Sequence, residues 1–498
     1  MSDVTFQHPE YVKNLPLWEQ VDDVCKGQKA VKDKKEVYLP RNNPQDHSQE
    51  AKGFYDSYLK RAVFYGVTGK TLGSLVGAAF AKDPNFKCPA ELEHLKRNAN
   101  GAGLSLYQLS QSTLRHTLKH YRSALYVDFP DVAPSRNRAE EKAKQAYPMI
   151  HLLSAKVVIN WDTITVGNQT KLNLVVIAES VSERGKDGFS IETKQQYRVL
   201  RLEDVGLGEF VYTIEIYTKS DQGIWTGQGR KIPTDYNGDV WSYIPFTFVG
   251  AVDNSAQIEN SPLLELADLN LAHYRDSADF QESVYYMGHP QYYASGMDWN
   301  WFDEAQKRGV YIGAKVMLPL PQGGTLGIAQ AQPNTLSREA MKDKWQQMKE
   351  MGARLVEKGS ANKTATEADN DDAVQHSVLS LCVVNVNEAV NMALRWCSKF
   401  VMSNHDLKPD VLNYVIAQDF NKQKYSVERS RLILEMVQGE LLPPEVLYHY
   451  EQTGTFPEDK WEDIEKKIEE YRMSKPLGGY QPYQGVDDGQ EGNTAGNS

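Results

Sequence analysis

The most suggestive short string in the chain is Gly66-Val67-Thr68-Gly69-Lys70-Thr71, which ends as a phosphate-binding loop does. Such a loop clusters backbone N–H groups round a phosphate, and its motif requires a glycine five residues before Gly69, where Phe64 stands. The string also falls inside a helical pattern rather than after a strand, so the strand–loop–helix geometry is missing. His116 and His120 have the i, i+4 spacing of helix-borne metal ligands, but Thr117-Leu118-Lys119 between them lacks the glutamate of a zinc protease. The pair therefore reads as packed or helix-surface histidines. Asp369, Asp371 and Asp372 form an acidic run of a kind that binds divalent cations; at the start of a helix the same charges are accounted for by the helix dipole. Cys25, Cys88, Cys382 and Cys397 form no C-x-x-C pair and read as buried or incidental thiols in a reducing cytoplasm. With no nucleophile elbow and no dinucleotide glycine loop, the expectation is a protein that is not an enzyme, with no catalytic residues, cofactor or metal.

Those residues sit in a chain of 498 residues with 55 Lys plus Arg against 66 Asp plus Glu, a formal charge of −11. At ~100–200 residues per domain the length predicts about three domains. The acidic balance excludes a protein that coats nucleic acid by neutralising phosphates. Met1 to Pro9 lack the basic and apolar regions of a secretory signal, and no stretch approaches the ~20 apolar residues that span a bilayer, so no membrane association is expected.

The elements change character along the chain. Ser48 to Phe80 reads as helix, and a second helix from Ser105 places Leu106, Leu109, Leu114, Leu118 and Leu125 on one face before Asp128-Phe129-Pro130 ends it. From about 147 to 250, short runs rich in Val, Ile, Tyr and Trp alternate with Gly, Asn and Asp clusters, which predicts an antiparallel sheet or small barrel. Ser261-Pro262 opens a long helix that closes at Gly288-His289-Pro290. A compact insertion with Trp299, Trp301 and Phe302 follows, and then a second long helix from Ser337. Its Met341, Trp345, Met348 and Leu355 recur at increments of four, three and seven, a narrow heptad-like seam suited to packing against neighbours. Thr364-Ala365-Thr366-Glu367 has the form of a capping box for a third long helix reaching Met402. Three short helices are predicted between 426 and 475, and the Gly-, Gln-, Asp- and Asn-rich tail beyond is expected to be disordered.

In order and spacing these features resemble the portal proteins of tailed bacteriophages, and most closely a branch of that family usually described only as a domain of unknown function. The resemblance is carried by Trp18 to Gly27, Tyr38-Leu39-Pro40, Tyr58 and Arg61-Ala62 in the amino-terminal part, and by Ile159-Asn160-Trp161, Tyr197-Arg198-Val199-Leu200 and Ile244-Pro245-Phe246 in the β-rich segment. It continues through Ser261 to Leu271, Thr364 to Glu367, and Gly439-Glu440-Leu441-Leu442-Pro443-Pro444 with Gly454-Thr455-Phe456-Pro457.

The resemblance implies an α+β, portal-like fold, mainly helical, with a β-rich wing module, two long stem helices flanking a small α/β clip, and a helical crown. Residues 1–261 would be wing, 262–288 the first stem helix, 289–336 clip and 337–358 the second stem helix. Residues 359–372 would hold the tunnel loop and the start of the next helix, 373–425 the helix returning to the wing, 426–475 the crown and 476–498 the tail. It further implies a homo-oligomeric ring, usually a dodecamer, at the portal vertex of the virion, assembled in the host cytoplasm. Its implied partners are the terminase large subunit, the major capsid and scaffolding proteins, a head-completion or tail adaptor, and double-stranded DNA bound without sequence specificity. Lys358, Asn362, Lys363 and Thr364 are then the candidates to brush DNA in an otherwise acidic channel, and Met341, Trp345, Met348 and Leu355 the candidates for stem packing. Lys342, Lys344 and Lys349 read as a solvated helix face. Two other readings stay open. One is a head-to-tail connector or adaptor ring of another type, although such proteins are usually shorter and lack the helix–insertion–helix arrangement. The other is a phage nucleic-acid enzyme, which a carboxylate metal cluster or ATP hydrolysis would mark.

Overall fold

The computed structural model describes residues 3–130, 146–185, 187–206, 208–220, 222–288, 291–296, 298–309, 320, 322–329, 335–355, 377–417, 427–439, 441–453 and 461–474. These mix helix and sheet and divide into two compact units, 1–420 and 421–498. In the first unit the helices are α1 Pro9–Lys26, α2 Gln28–Asp33, α3 Gln49–Arg61, α4 Val67–Ala79, α5 Leu106–His120, α6 Leu264–Gly288, α7 Trp299–Arg308, α8 Leu336–Arg354 and α9 Val378–Val401. The segment predicted as one helix from Ser48 to Phe80 is thus two, α3 and α4. Ala62 turns to an extended ψ of 137°, and Ser48 caps α3 by accepting from the Ala51 N–H at 3.1 Å.

The predicted continuation of the Ser105 helix to Leu125 is overturned. Tyr121 takes a left-handed φ of 62° and ends α5, and β2 Arg122–Asp128 begins at once. β2 is the middle strand of an antiparallel sheet between β3 Met149–Ser154 and β9 Phe246–Gly250. The remaining β-rich segment is a separate antiparallel meander in the order β4 Val158–Val166, β5 Gln169–Arg184, β6 Ile191–Gly206, β7 Glu209–Lys219, β8 Trp225–Lys231. Side chains join the two sheets. The Arg122 guanidinium lies 3.5 Å from the Phe248 ring centroid and 4.1 Å from that of Trp161, and the Tyr126 and Tyr212 hydroxyls are 3.0 Å apart. Two short pairs complete the strands, β1 Asn85–Lys87 with β12 Asn413–Val415, and β10 Gln291–Ser295 with β11 Thr325–Ala329.

The core is organised round α9, which packs on α5, β2 and β9. Its apolar face includes Leu379, Val383, Val386, Val390 and Leu394, all fully buried, and Ser377 caps it by accepting from the Ser380 N–H at 3.2 Å. The capping box predicted at Thr364 to Glu367 lies outside the described residues. A charged knot anchors α1 to α5. The buried Asp22 carboxylate accepts from Lys119 Nζ at 2.7 Å, Lys156 Nζ at 2.5 Å and His120 Nε2 at 2.9 Å. The second unit holds α10 Val427–Gln438, α11 Pro444–Thr453 and α12 Trp461–Ser474, with Ile433, Val437 and Tyr450 as a small core of their own.

Candidate functional site

The feature that stands apart from the core is the helix pair α6 and α8 with the hairpin β10–β11 and α7 inserted between them. Ser261 Oγ accepts from the Leu263 N–H at 3.2 Å just before α6, so the Ser-Pro start predicted from the sequence is present two residues later than expected. The two helices run antiparallel. Lys344 Nζ donates to Asp276 at 2.5 Å, the Trp345 ring lies 6.2 Å from His273, and Gly352 sits against Thr71 beside the start of α6. The β10–β11 ladder pairs Gln291 with Ala329 through Ser295 with Thr325, which returns the chain from the end of α6 to the start of α8.

A row of acidic residues three apart, Asp276, Asp279 and Glu282, gives α6 its polar attachments. Asp276 takes Lys344, Asp279 accepts from the Tyr58 hydroxyl at 2.6 Å, and Glu282 accepts from Arg61 Nε at 3.1 Å. Asn270, one turn and a half earlier, accepts from the Thr68 N–H at 3.2 Å and donates to the Tyr65 carbonyl at 2.8 Å. Sequence reasoning did not single these residues out; carboxylates at i, i+3 and i+6 wind round a long helix, and here the first meets α8 while the other two meet α3.

The glycine string at Gly66 to Thr71 opens α4, and three of its amides are already engaged. The Val67 N–H goes to the Tyr65 carbonyl at 2.8 Å, the Thr68 N–H to Asn270, and the Lys70 N–H to the Gly66 carbonyl at 3.4 Å. A Cβ on Gly69 would stand 2.6 Å from the Cys25 carbonyl oxygen, so this glycine lets α4 approach α1. The string serves packing. His116 and His120 are likewise inside the body. Their ring centroids are 5.7 Å apart, and burial, aided by Lys119 and His120, pushes the His116 imidazole down to about 4. Asp22 is held well below the usual carboxylate range, because its hydrogen bonds from His120, Lys119 and Lys156 outweigh the opposing cost of burial.

Of the seam residues, Met348 is fully buried, Met341 and Leu355 are half-buried, and Trp345 is 37% exposed. The structure therefore brings the seam to one side of α8 but seals it at a single position. Lys342 and Lys349 stand in solvent as a charged helix face, whereas Lys344 is tied to Asp276. Lys358, Asn362, Lys363, Thr364 and the acidic run at Asp369 lie outside the described residues. So does most of the apolar segment Val310 to Leu320.

One comparison bears on this region. The model of a domain of unknown function, DUF4055, matches residues 262–401, which take in the helix pair, its insertion and α9. No curated protein matches the sequence. Among solved structures the chain is similar to one described as the neck of an empty GTA (gene transfer agent) particle computed with C6 symmetry. That likeness is at 14% identity over 77% of this chain and 89% of that one, with a TM-score of 0.38. It is also similar to the neck of a native GTA particle computed with C12 symmetry, at 13% identity over 76% and 88% of the two chains, with the same TM-score. At this identity and TM-score these are likenesses and no more, and the family match covers less than a third of the chain.

Proposed function

We propose that the chain is a portal protein of a tailed phage or phage-like particle, forming a closed ring at one capsid vertex through which DNA enters during packaging and leaves during ejection. The observation that supports this reading is the antiparallel pair α6 and α8, interrupted by a small α/β insertion, within the ordered series of motifs that resembles the portal family. A helix pair of this kind, with α8 largely in solvent, suits side-by-side packing round a channel. In this reading the chain is not itself an enzyme; a partner ATPase supplies the work of packaging, and the ring docks it together with capsid and tail components. A channel wall sharing the sign of the chain's net charge of −11 would repel phosphate and so keep the passing DNA from being held.

The test is the oligomeric state of the purified chain by light scattering and negative-stain electron microscopy. Closed rings with a central channel, at a mass near twelve subunits, are the expected result. A compact dimer that hydrolyses nucleotide or cuts DNA would overturn the reading in favour of an enzyme.

A further inference from the structure

Two grooves of opposite charge flank α6. The first, about 360 Å³, lies between the segment round Asp46, α3 and the C-terminal end of α6. It is lined by Asp46, Glu50 and Glu282 against the single cation Arg41, and the Phe54 and Tyr286 rings in its wall are 69% and 54% exposed. The second, about 420 Å³, lies between α4 and α8. It presents Lys70 and Lys349 with no carboxylate, beside the partly open rings of Tyr65 and Trp345. The two grooves face different ways. Tyr65 and Trp345 both meet His273, at 5.2 and 6.2 Å, and His273 is nine residues, two and a half turns, from Glu282 on α6.

We propose that the two grooves are the halves of one head-to-tail contact between copies of this chain, the acidic groove of one subunit receiving the Lys70 and Lys349 edge of the next. The proposal rests on the ring reading above and names the surfaces that would close the ring. A cyclic ring needs two different, complementary patches on each subunit, whereas a two-fold dimer needs one patch complementary to itself. Neither groove is self-complementary, because each would set like charges against like; set against each other they bring cations to carboxylates and rings to rings. The chain already uses this chemistry at the rim of the acidic groove. The Arg61 guanidinium lies 4.2 Å over the Tyr285 ring and bonds Glu282, and Arg41 lies over Tyr55 at 5.4 Å while bonding Glu36 at 2.8 Å. A lysine arriving from a neighbour would be held in the same way, between an aromatic face and a carboxylate.

Charge reversal tests the pairing on full-length chains. One variant carries Asp46→Lys with Glu50→Lys, the other Lys70→Glu with Lys349→Glu; Glu50, Lys70 and Lys349 are exposed and without an ion-pair partner among the described residues, and circular dichroism checks that each variant folds. Each variant alone sets like charge against like, and its assembly midpoint is expected to move to about tenfold higher concentration or beyond. An equimolar mixture of the two restores attraction at every contact, so rings of alternating subunits should return in electron micrographs and by light scattering. If wild type forms rings and both variants form them equally well, this contact is wrong and the ring reading stands. If the variants lose rings and mixing does not restore them, the pairing of these two grooves is wrong. A wild-type chain that stays monomeric at all concentrations and low salt overturns the ring reading, and this contact with it.

Discussion

Helices α8 and α9 are of similar length and lie at opposite extremes of burial. Of the 24 residues in α9, 13 are buried; of the 19 in α8, Met348 alone is. In a protein most of a helix's stability comes from the packing of its apolar face, so the order of α8 depends on α6 beside it and on whatever else it meets. α9 needs nothing beyond its own chain, being wrapped by α5, β2 and β9. The contrast divides the molecule by the consequence of substitution. Changes in the body round α9, in the Asp22 knot and on the buried face of α6 should act on folding, and changes along the open face of α8 should act chiefly on what the surface touches.

The largest effect should come from removing the charge at the centre of the body. Asp22→Ala leaves Lys119, whose side chain is only 16% exposed, as an unpaired cation at a site where the carboxylate is 7% exposed, and should cost about 3–5 kcal/mol in urea unfolding. Next comes Leu394→Ala on α9, a fully buried side chain whose truncation costs about 2–5 kcal/mol, read as a fall in Tm. Its counterpart on α8, Trp345→Ala, loses ring contacts with Tyr65 and His273 but is 37% exposed, and should cost the single subunit less, about 1–2 kcal/mol, while weakening ring assembly. Equal losses of stability at the two positions would erase the contrast.

Acid should also find the body first. His116 and His120 are held neutral in the folded chain, mainly by burial, so the folded state binds fewer protons than the unfolded one below the ordinary imidazole value near 6.5. Their contribution is complete above that value and is lost as pH falls toward the His116 value of about 4. Asp22, whose folded value is depressed, stabilises above the ordinary carboxylate value near 3.9 and adds its loss below it. The urea midpoint should therefore fall steadily from pH 7 to pH 4, and His116→Gln should flatten that slope; a slope unchanged by the substitution would show that the histidine is not kept neutral.

The sequence makes the long helices legible because a 25-residue apolar period bounded by Ser-Pro and Gly-His-Pro has few other solutions. The helix–insertion–helix order is visible for the same reason, whereas the acidic residues Asp276, Asp279 and Glu282 of α6 declare their partners only in the fold. The end of α5 is not. Leu106, Leu109, Leu114 and Leu118 set a helical period that Leu125 happens to continue, and the stop is a tyrosine in a left-handed turn where a glycine would have announced it. Splitting the β-rich segment into two sheets was also out of reach, since β9 pairs with β2 across more than a hundred residues and short-range alternation says nothing of partners. Each of the two grooves is composed of residues from two stretches more than two hundred residues apart, so their opposite charges emerge only when the chain is folded.

The smallest expected effect is the one that measures how firmly the helix pair is held. Lys344 and Asp276 approach to 2.5 Å, a shorter contact than Lys119 makes with Asp22, yet their side chains keep 26% and 24% of their exposure. Water therefore screens the pair and solvates either partner when the other is removed, which the walls round Asp22 do not allow. A double-mutant cycle with Lys344→Ala and Asp276→Ala should return a coupling of about 0.2–1 kcal/mol, shrinking as salt is added. A coupling of several kcal/mol, insensitive to salt, would mean that α8 is fixed to α6 as tightly as α5 is to α1, and the exposed helix would then be a rigid strut in the lone subunit rather than a surface whose order is completed by its neighbours.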